Sequence, residues 1–307
     1  MATLLTGATG FIGSHLLSLS TESEFKAVVR NSNVSNSIGD DIFYIDAISS
    51  LTNWSEAFNG VSVVVHLAGS AHNTKQITDE ILRYGREVNV AGTLNLASQA
   101  AASGIKRFIF ISSITVNGIM TKKPFAFDDA PNPQEHYAAC KNEAEVGLKK
   151  IAKETGMEVV IIRSPLVHGA SAPGNFGKLT TLAKKNLPLP LGAIDNKRSL
   201  VGIDNLVDLI ITCINHPKAA NQTFLVSDDN DVSTSHLLRS MILSAGKRPF
   251  LLPVPVNIIR FFAGLLGKAS VIDRLSSNLQ IDISHTKSTL GWKPPVSFEE
   301  GIRRCFE

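Results

Sequence analysis

The sequence predicts an α/β protein built on a doubly wound parallel sheet, with a smaller, partly discontinuous α/β region for substrate. Two patterns carry this expectation. Short apolar runs rich in Val and Ile alternate with longer stretches of helical period through the first half, and continuous runs of that kind suit strands covered on both faces. The connections between them run to roughly a dozen residues or more, as parallel pairing requires.

Taken in order, ATLLT, FKAVVR, IFYID, VSVVVHLAG, RFIFISS and MEVVIIR read as the strands of the first sheet. Around Pro165 the alternation stops, and GASAPGNFGK, LPLPLG and RPFLLPVPVN bring turns and irregular chain. Residues 1–166 are therefore expected to form one region and 167–307 mainly a second. SLVGI, NLVDLIITCI and TFLVS resume the earlier pattern, so 198–227 is expected to return to the first sheet. VPVNIIRFFAGLLGK is apolar for much of its length. Arg260 and its glycines interrupt it and it is too short to span a bilayer, so packing within the substrate region is expected over a place on a membrane surface.

Composition narrows the function classes. With 307 residues, 44% hydrophobic and 19% charged, the chain can bury a sizeable core and does not read as disordered. The formal net charge of +3 is dispersed, and pairs such as Lys122-Lys123 and Lys184-Lys185 suit a solvated surface better than a nucleic-acid footprint. Cys140, Cys213 and Cys305 lie far apart without metal-ligand spacing, so neither a disulfide framework nor a metal site is expected. The start MATLLTGATGFIG has no basic leader, and no apolar run reaches the length of a membrane span. A cytoplasmic protein without a membrane span is the expectation.

The first chemical motif is Gly7-Ala8-Thr9-Gly10-Phe11-Ile12-Gly13, set directly between a strand and a helix-like FIGSHLLSLS. Small residues at such a turn let a pyrophosphate approach the backbone, and the helix N-terminus stabilises its charge. The second strand ends at Arg30 with no acid at the position that commonly accepts the ribose hydroxyls of NAD. The planar fork of Arg30 could instead pair with a 2′-phosphate, which favours NADP(H). His66-Leu67-Ala68-Gly69 closes a further strand and either flanks the cofactor or, for His66, lies buried.

Tyr137-Ala138-Ala139-Cys140-Lys141 sets a phenol and an ammonium one helical turn apart. A neighbouring cation stabilises the phenolate and moves it towards acid/base work near neutral pH. Ser112 and Ser113 end a strand on the side where parallel sheets place ligands, and a hydroxyl there can hold the substrate oxygen whose proton Tyr137 exchanges. The order of glycine turn, serine strand and YxxxK in one chain is more specific than any of them alone.

Together with VVHLAG, Asn89 of VNVAGTLNL, IIRSPLVHG, RSLVGIDNLVD and LGWKPPVSFEEG, these motifs resemble the extended short-chain dehydrogenase/reductases of the nucleotide-sugar epimerase, dehydratase and reductase kind, with the UDP-glucose 4-epimerase subgroup nearest. The resemblance covers nearly the whole chain and implies a Rossmann-type sheet. It implies Ser113 as the substrate-orienting hydroxyl, Tyr137 as acid/base, and Lys141 as the residue that holds the cofactor ribose and activates Tyr137. Ser112 and Thr115 stand in reserve beside the substrate. Asp46 resembles the family's adenine-contacting Asp, a helix cap being the alternative, and the implied cofactor contacts add Ala47, Leu67, Ala68, Gly69 and Pro165 to the glycine turn. Asn117 and His168 replace tyrosines usual in the family. The stretch Ser113-Ile114-Thr115-Val116 lacks the acidic pair of dehydratases, which disfavours loss of water.

A nucleotide sugar brings a diphosphate that needs donors, and Asn175, Arg198 and Arg274 loosely match family landmarks; Asn175 could alternatively cap the following helix. The resemblance implies a UDP-sugar substrate and two enzyme readings with the same catalytic groups. One is a 4-epimerase retaining tightly bound NAD. The other is a reductase consuming NADPH on a UDP-4-keto-6-deoxy-N-acetylhexosamine in surface-polysaccharide biosynthesis. A non-catalytic dinucleotide sensor on the same fold is a third. Relatives often dimerise through helices corresponding to 78–102 and 136–154, so a homodimer is an implied partner.

Overall fold

A computed structural model describes residues 2–19, 24–30, 41–70 and 78–307. The apolar runs form β1 (Ala2–Thr6), β2 (Phe25–Val29), β3 (Ile42–Tyr44), β4 (Val61–His66), β5 (Arg107–Ser113), β6 (Glu158–Ser164) and β9 (Thr223–Leu225), hydrogen-bonded in the order β3-β2-β1-β4-β5-β6-β9. Every pairing in this sheet is parallel. The order reverses between β1 and β4, which opens a crevice at their carboxyl ends. β7 (Val167–His168) and β8 (Val201–Gly202) make a separate two-stranded parallel sheet.

Both faces of the large sheet are covered, which is why its strands tolerate unbroken apolar sequence. On one face α1 (Phe11–Leu19) and α6 (Ile203–Asn215) pack over Leu5, Val65, Ile109 and Ile162. On the other, α3 (Thr93–Ala102) and α4 (His136–Thr155) cover Leu4, Val64, Phe108 and Phe110. The helix preceding α3 starts at α2 (Asp79–Arg86) and passes through a π-helical turn, Glu87–Gly92, that contains Asn89. Such turns are rare and recur at functional sites.

The segment from 198 to 227 contributes β8, α6 and β9, and β9 extends the large sheet beside β6. A smaller cluster is built from α5 (Gly174–Lys185), α7 (Thr234–Ser244) and α11 (Phe298–Arg304) around Phe176, Met241 and Phe298. Between α7 and α11 lie α8 (Val256–Leu265), α9 (Ala269–Ser276) and α10 (Ser284–Leu290).

The α8 segment departs from the sequence expectation. No residue of Val256–Leu265 is buried, and Phe261, Phe262, Leu265 and the following Leu266 are exposed. The reason lies in the spacing of its apolar residues. Val256 and Ile259 lean on a small cluster at Leu189, Leu191 and Leu238, while Ile258, Phe261, Phe262 and Leu265 fall on another face that meets no core.

Among the described residues no helix is long and apolar enough to cross a membrane, no three His, Cys, Asp or Glu side chains converge as metal ligands, and the three cysteines are unpaired and buried.

Candidate active site

The glycine turn closes the crevice from the β1 side. Gly7 has φ +74°, and a Cβ there would sit 2.8 Å from the Ala68 nitrogen, so the turn can lie against the end of β4 only without a side chain. A Cβ on Gly13 would lie 2.2 Å from the Gly7 carbonyl oxygen, which fixes α1 hard against the turn. Thr9 and Gly10 are exposed and Phe11 and Ile12 half-buried, at the N-terminus of α1. This is the backbone cradle a pyrophosphate needs, so the residues present fit a dinucleotide. Leu67, Ala68 and Gly69 follow β4 along the same edge, and Pro165 is buried just past β6.

A cavity of about 630 Å³ lies beyond the ends of β2 and β3, lined in part by Arg30, Asp46 and Ala47. Arg30 and Asp46 are exposed there. No helix begins at Asp46, the next being a short 3-10 turn at Ser55–Phe58, so the cap alternative falls. Residues 31–40, which follow Arg30 directly, lie outside the described residues.

Tyr137 and Lys141 occupy the first two turns of α4, and the Lys141 ammonium is buried over the Phe110 ring, 4.3 Å from its centroid. It donates to the Ile111 carbonyl at 2.9 Å and lies 5.8 Å from the Tyr137 ring centroid. Beside it, Asn89 accepts from the Ser70 amide at 2.7 Å and donates to the Ser70 carbonyl at 2.9 Å. A Cβ on Gly69 would come 3.1 Å from Asn89 Oδ1 and 3.5 Å from Lys141 Nζ. Gly69, Asn89, Lys141 and Tyr137 thus converge at the carboxyl ends of β4 and β5.

The electrostatics of the pair differ from the sequence expectation. Burial pushes the Tyr137 phenol up to about 12, and burial pushes Lys141 down to about 8. Desolvation therefore outweighs the stabilisation that a neighbouring ammonium was expected to give the phenolate. In the chain by itself Tyr137 is a proton donor at neutral pH.

Successive side chains of a strand point to opposite faces, and the two serines separate accordingly. Ser113 is half-buried, shares a hydrogen bond of 2.7 Å with the Thr115 hydroxyl and accepts from the Thr115 amide at 3.2 Å. Ser112 turns inward and donates to Glu145 Oε1 at 2.5 Å, with 4% of its surface exposed. Ser112, expected in reserve beside the substrate, is thus held by Glu145, whereas Thr115 lies next to Ser113.

Sequence reasoning missed the network behind Ser112. Glu145 accepts three hydrogen bonds from Arg163, of 3.1, 3.2 and 2.6 Å, and Arg163 also donates to Asn117 Oδ1 at 3.0 Å. Glu145, Arg163 and Asn117 are all buried. The signal was present: Glu145 follows Lys141 by one turn on the same helix face, and Arg163 interrupts an otherwise apolar strand. Asn117 has a structural partner where the family pattern has a tyrosine. His168 is likewise buried, held by Asp228 at 2.6 Å and packed between Phe176 and Phe298.

His66 resolves to the buried alternative. Its ring bonds Thr6 at 2.7 Å and Thr93 at 2.9 Å, and burial, aided by the Lys141 charge, pushes it down to about 3. An unfolded chain binds a proton at this ring near pH 6.5, whereas the fold refuses it until about pH 3. The group therefore withdraws stability as pH falls from 6.5 towards 3, by about 1.4 kcal/mol per pH unit. The His66 ring resonances are expected to stay those of a neutral imidazole down to pH 4 in an NMR titration of the native protein; titration near pH 6 would contradict this burial.

At the substrate end, Arg198 donates to the carbonyls of Arg274 at 2.7 Å and Ser277 at 3.2 Å. Burial, and secondarily the charge of Arg274, lowers its pKa. Arg274, on α9, is paired with Glu135, two residues before Tyr137, so the two arginines and the head of α4 are neighbours. Asn175 is exposed in the first turn of α5 and makes no side-chain cap; the cap alternative is not what the structure shows.

The fold and this crevice define a dinucleotide-binding enzyme of the doubly wound α/β class. The NAD dependent epimerase/dehydratase family model matches residues 3–227, and the chain belongs to that family. It is 47% identical over 308 aligned residues to a UDP-glucose 4-epimerase of Vibrio cholerae, covering 98% of this chain and 93% of that protein. Among solved structures, a UDP-glucuronic acid 4-epimerase of Bacillus cereus in complex with NAD superposes with TM-score 0.78 at 20% identity, covering 100% of this chain and 96% of that one. A UDP-glucose 4-epimerase of Thermotoga maritima with UDP-glucose gives 0.74 at 22%, covering 100% and 97%. These two likenesses speak to the fold.

Proposed function

We propose that the protein is a UDP-hexose 4-epimerase that keeps NAD bound through its cycle. What supports this is Lys141 bonded to the Ile111 carbonyl of β5 and 5.8 Å from the Tyr137 ring centroid, with Ser113 at the carboxyl end of the same strand, in a chain 47% identical to a UDP-glucose 4-epimerase. The glycine turn at 7–13 holds the pyrophosphate and the cavity at Asp46 and Ala47 the adenosine. Leu67, Ala68, Gly69 and Pro165 line the path to the nicotinamide.

A bound oxidised nicotinamide would supply a hydride acceptor and donor for sugar C4 and a positive charge that favours the phenolate of Tyr137. Tyr137 takes the C4 hydroxyl proton as the 4-keto sugar forms and gives it back when the other face is reduced. Ser113, steadied by Thr115, orients the C4 oxygen. Lys141 holds the ribose and, where charged, limits the cost of the phenolate. Arg198 and Arg274, with Asn175, take the diphosphate of the UDP moiety.

Replacing Arg198 with Ala is expected to raise KM for the nucleotide sugar by about tenfold to a hundredfold, the worth of a charge-assisted hydrogen bond, with kcat little changed. An unaltered KM would remove the diphosphate from this position.

Arg30 favours a second reading, an NADPH-consuming 4-ketoreductase. Mass spectrometry of the nucleotide carried by the freshly purified protein, with assays on UDP-glucose and UDP-galactose, separates the two. Retained NAD with interconversion of the hexoses supports the epimerase; stoichiometric NADPH oxidation by a UDP-4-keto sugar with no interconversion would replace it. A homodimer through the helices of 78–102 and 136–154, with Ala139 and Val146 exposed on α4, completes this reading.

A further inference from the structure

We infer that the face of α8 together with the turn into α9 is a docking surface for an anionic lipid bilayer. Ile258, Phe261, Phe262 and Leu265 follow the spacing i, i+3, i+4, i+7 and so form one stripe on the helix. Phe261 is 65% exposed and Leu265 71%. Leu266, just past α8, and Val271 on α9 are exposed as well. The helix does not need this stripe to hold its place. Val256 and Ile259 on its other side reach the cluster at Leu189 and Leu238, and Arg260 ties α8 to α9 through Asp273 at 2.6 Å.

Charge decides which partner suits the stripe. No Asp or Glu occurs between Asp231 and Asp273, while Arg239, Lys247, Arg248, Arg260 and Lys268 all fall within that stretch. Lys247 and Arg248 lead into the exposed Phe250, and Lys268 stands in the turn between α8 and α9. All three are exposed, and none makes an ion pair among the described residues. A second copy of the chain would bring the same positive charges together and be repelled. An anionic headgroup layer satisfies both features, the cations meeting phosphates while Phe261, Phe262 and Leu265 enter the acyl boundary. The amphipathic segment lies in the interface plane and spans nothing.

The test uses the full chain in flotation with vesicles of equal parts phosphatidylcholine and phosphatidylglycerol, and with phosphatidylcholine alone. Binding is expected to the anionic vesicles only and to weaken as salt is raised. The doubly substituted Phe261→Ser, Phe262→Ser is expected to stay with the soluble fraction while keeping the parent's thermal unfolding and turnover of a soluble substrate. Lys268→Gln, which leaves the apolar stripe intact, should weaken binding by roughly fivefold. The inference fails if the parent does not float with anionic vesicles, or if the Phe substitutions leave flotation unchanged. It also fails if sedimentation shows the Phe substitutions dissolving a dimer that itself ignores lipid, since the occupant would then be a second copy.

Discussion

Phe in place of Tyr137 is expected to lower kcat by two to four orders of magnitude, roughly the range that a positioned acid/base supplies, while nucleotide binding stays close to that of the parent. The phenol ring is held by packing in the first turn of α4, and only its oxygen takes part in proton exchange, so Phe keeps the shape of the crevice. Glycine-turn and Lys141 contacts do not involve the Tyr137 oxygen, which is why the dinucleotide should still be retained. Steady-state rates with UDP-galactose, read beside the nucleotide content of the purified variant, check both halves. Activity within tenfold of the parent would show that another group carries the proton. The direction of the phenol's shift adds a further constraint. Because burial holds it up near 12 in the chain alone, the phenolate forms only when positive charge arrives beside it, and a variant that lost its nucleotide would be inactive for a different reason. Measuring nucleotide content keeps these two failures apart.

The sheet was legible because its evidence is local. Each strand announces itself as an unbroken apolar run, and a run of that kind needs cover on both faces, so parallel order and flanking helices follow from VVV and FIFI alone. The glycine turn was legible for a related reason, since Gly7 and Gly13 are demanded by backbone contacts within one strand-turn-helix unit. YxxxK could be read because a helix converts a spacing of four into a shared face. What escaped was set by contacts distant in sequence. Nothing near Ser112 in the chain says that its hydroxyl meets Glu145 rather than solvent, although strand alternation already forces Ser112 and Ser113 to opposite sides. The sign of the Tyr137 shift depends on how many atoms surround the ring, a property of packing that the motif does not encode. The exposure of α8 was missed because apolar content was read as burial, whereas its two apolar faces at different angles meant that only one could reach the small cluster beneath it.

The buried pair behind Ser112 yields the largest expected effect on stability. Arg163 and Glu145 are 3% and 1% exposed, and each satisfies the other's charge. Substituting Arg163 with Met leaves the Glu145 carboxylate buried with the Ser112 hydroxyl as its hydrogen bond and the Lys141 charge one turn away, and removes the donor to Asn117. Removing one partner of a buried pair costs about 3–5 kcal/mol, which for a protein of this length corresponds to a fall in Tm on the order of 10 °C. Replacing Glu145 with Met as well removes both charges together, and because a buried ion pair returns little over an apolar pair of similar volume, the double variant is expected to be more stable than the Arg163→Met single. Differential scanning calorimetry of the three proteins distinguishes the cases. A single variant that melts with the parent would mean that Glu145 does not depend on Arg163 in the fold. The network also links β5, β6 and α4 at the level of the crevice, since Ser112, Arg163 and Glu145 belong to those three elements in turn. In the double variant the tie from Ser112 to α4 is lost although the volume is restored. Its kcat should therefore fall by more than its stability does, relative to the parent, as Tyr137 and Ser113 lose their fixed separation; a double variant with full activity would show that packing of α4 on β5 is enough to hold them.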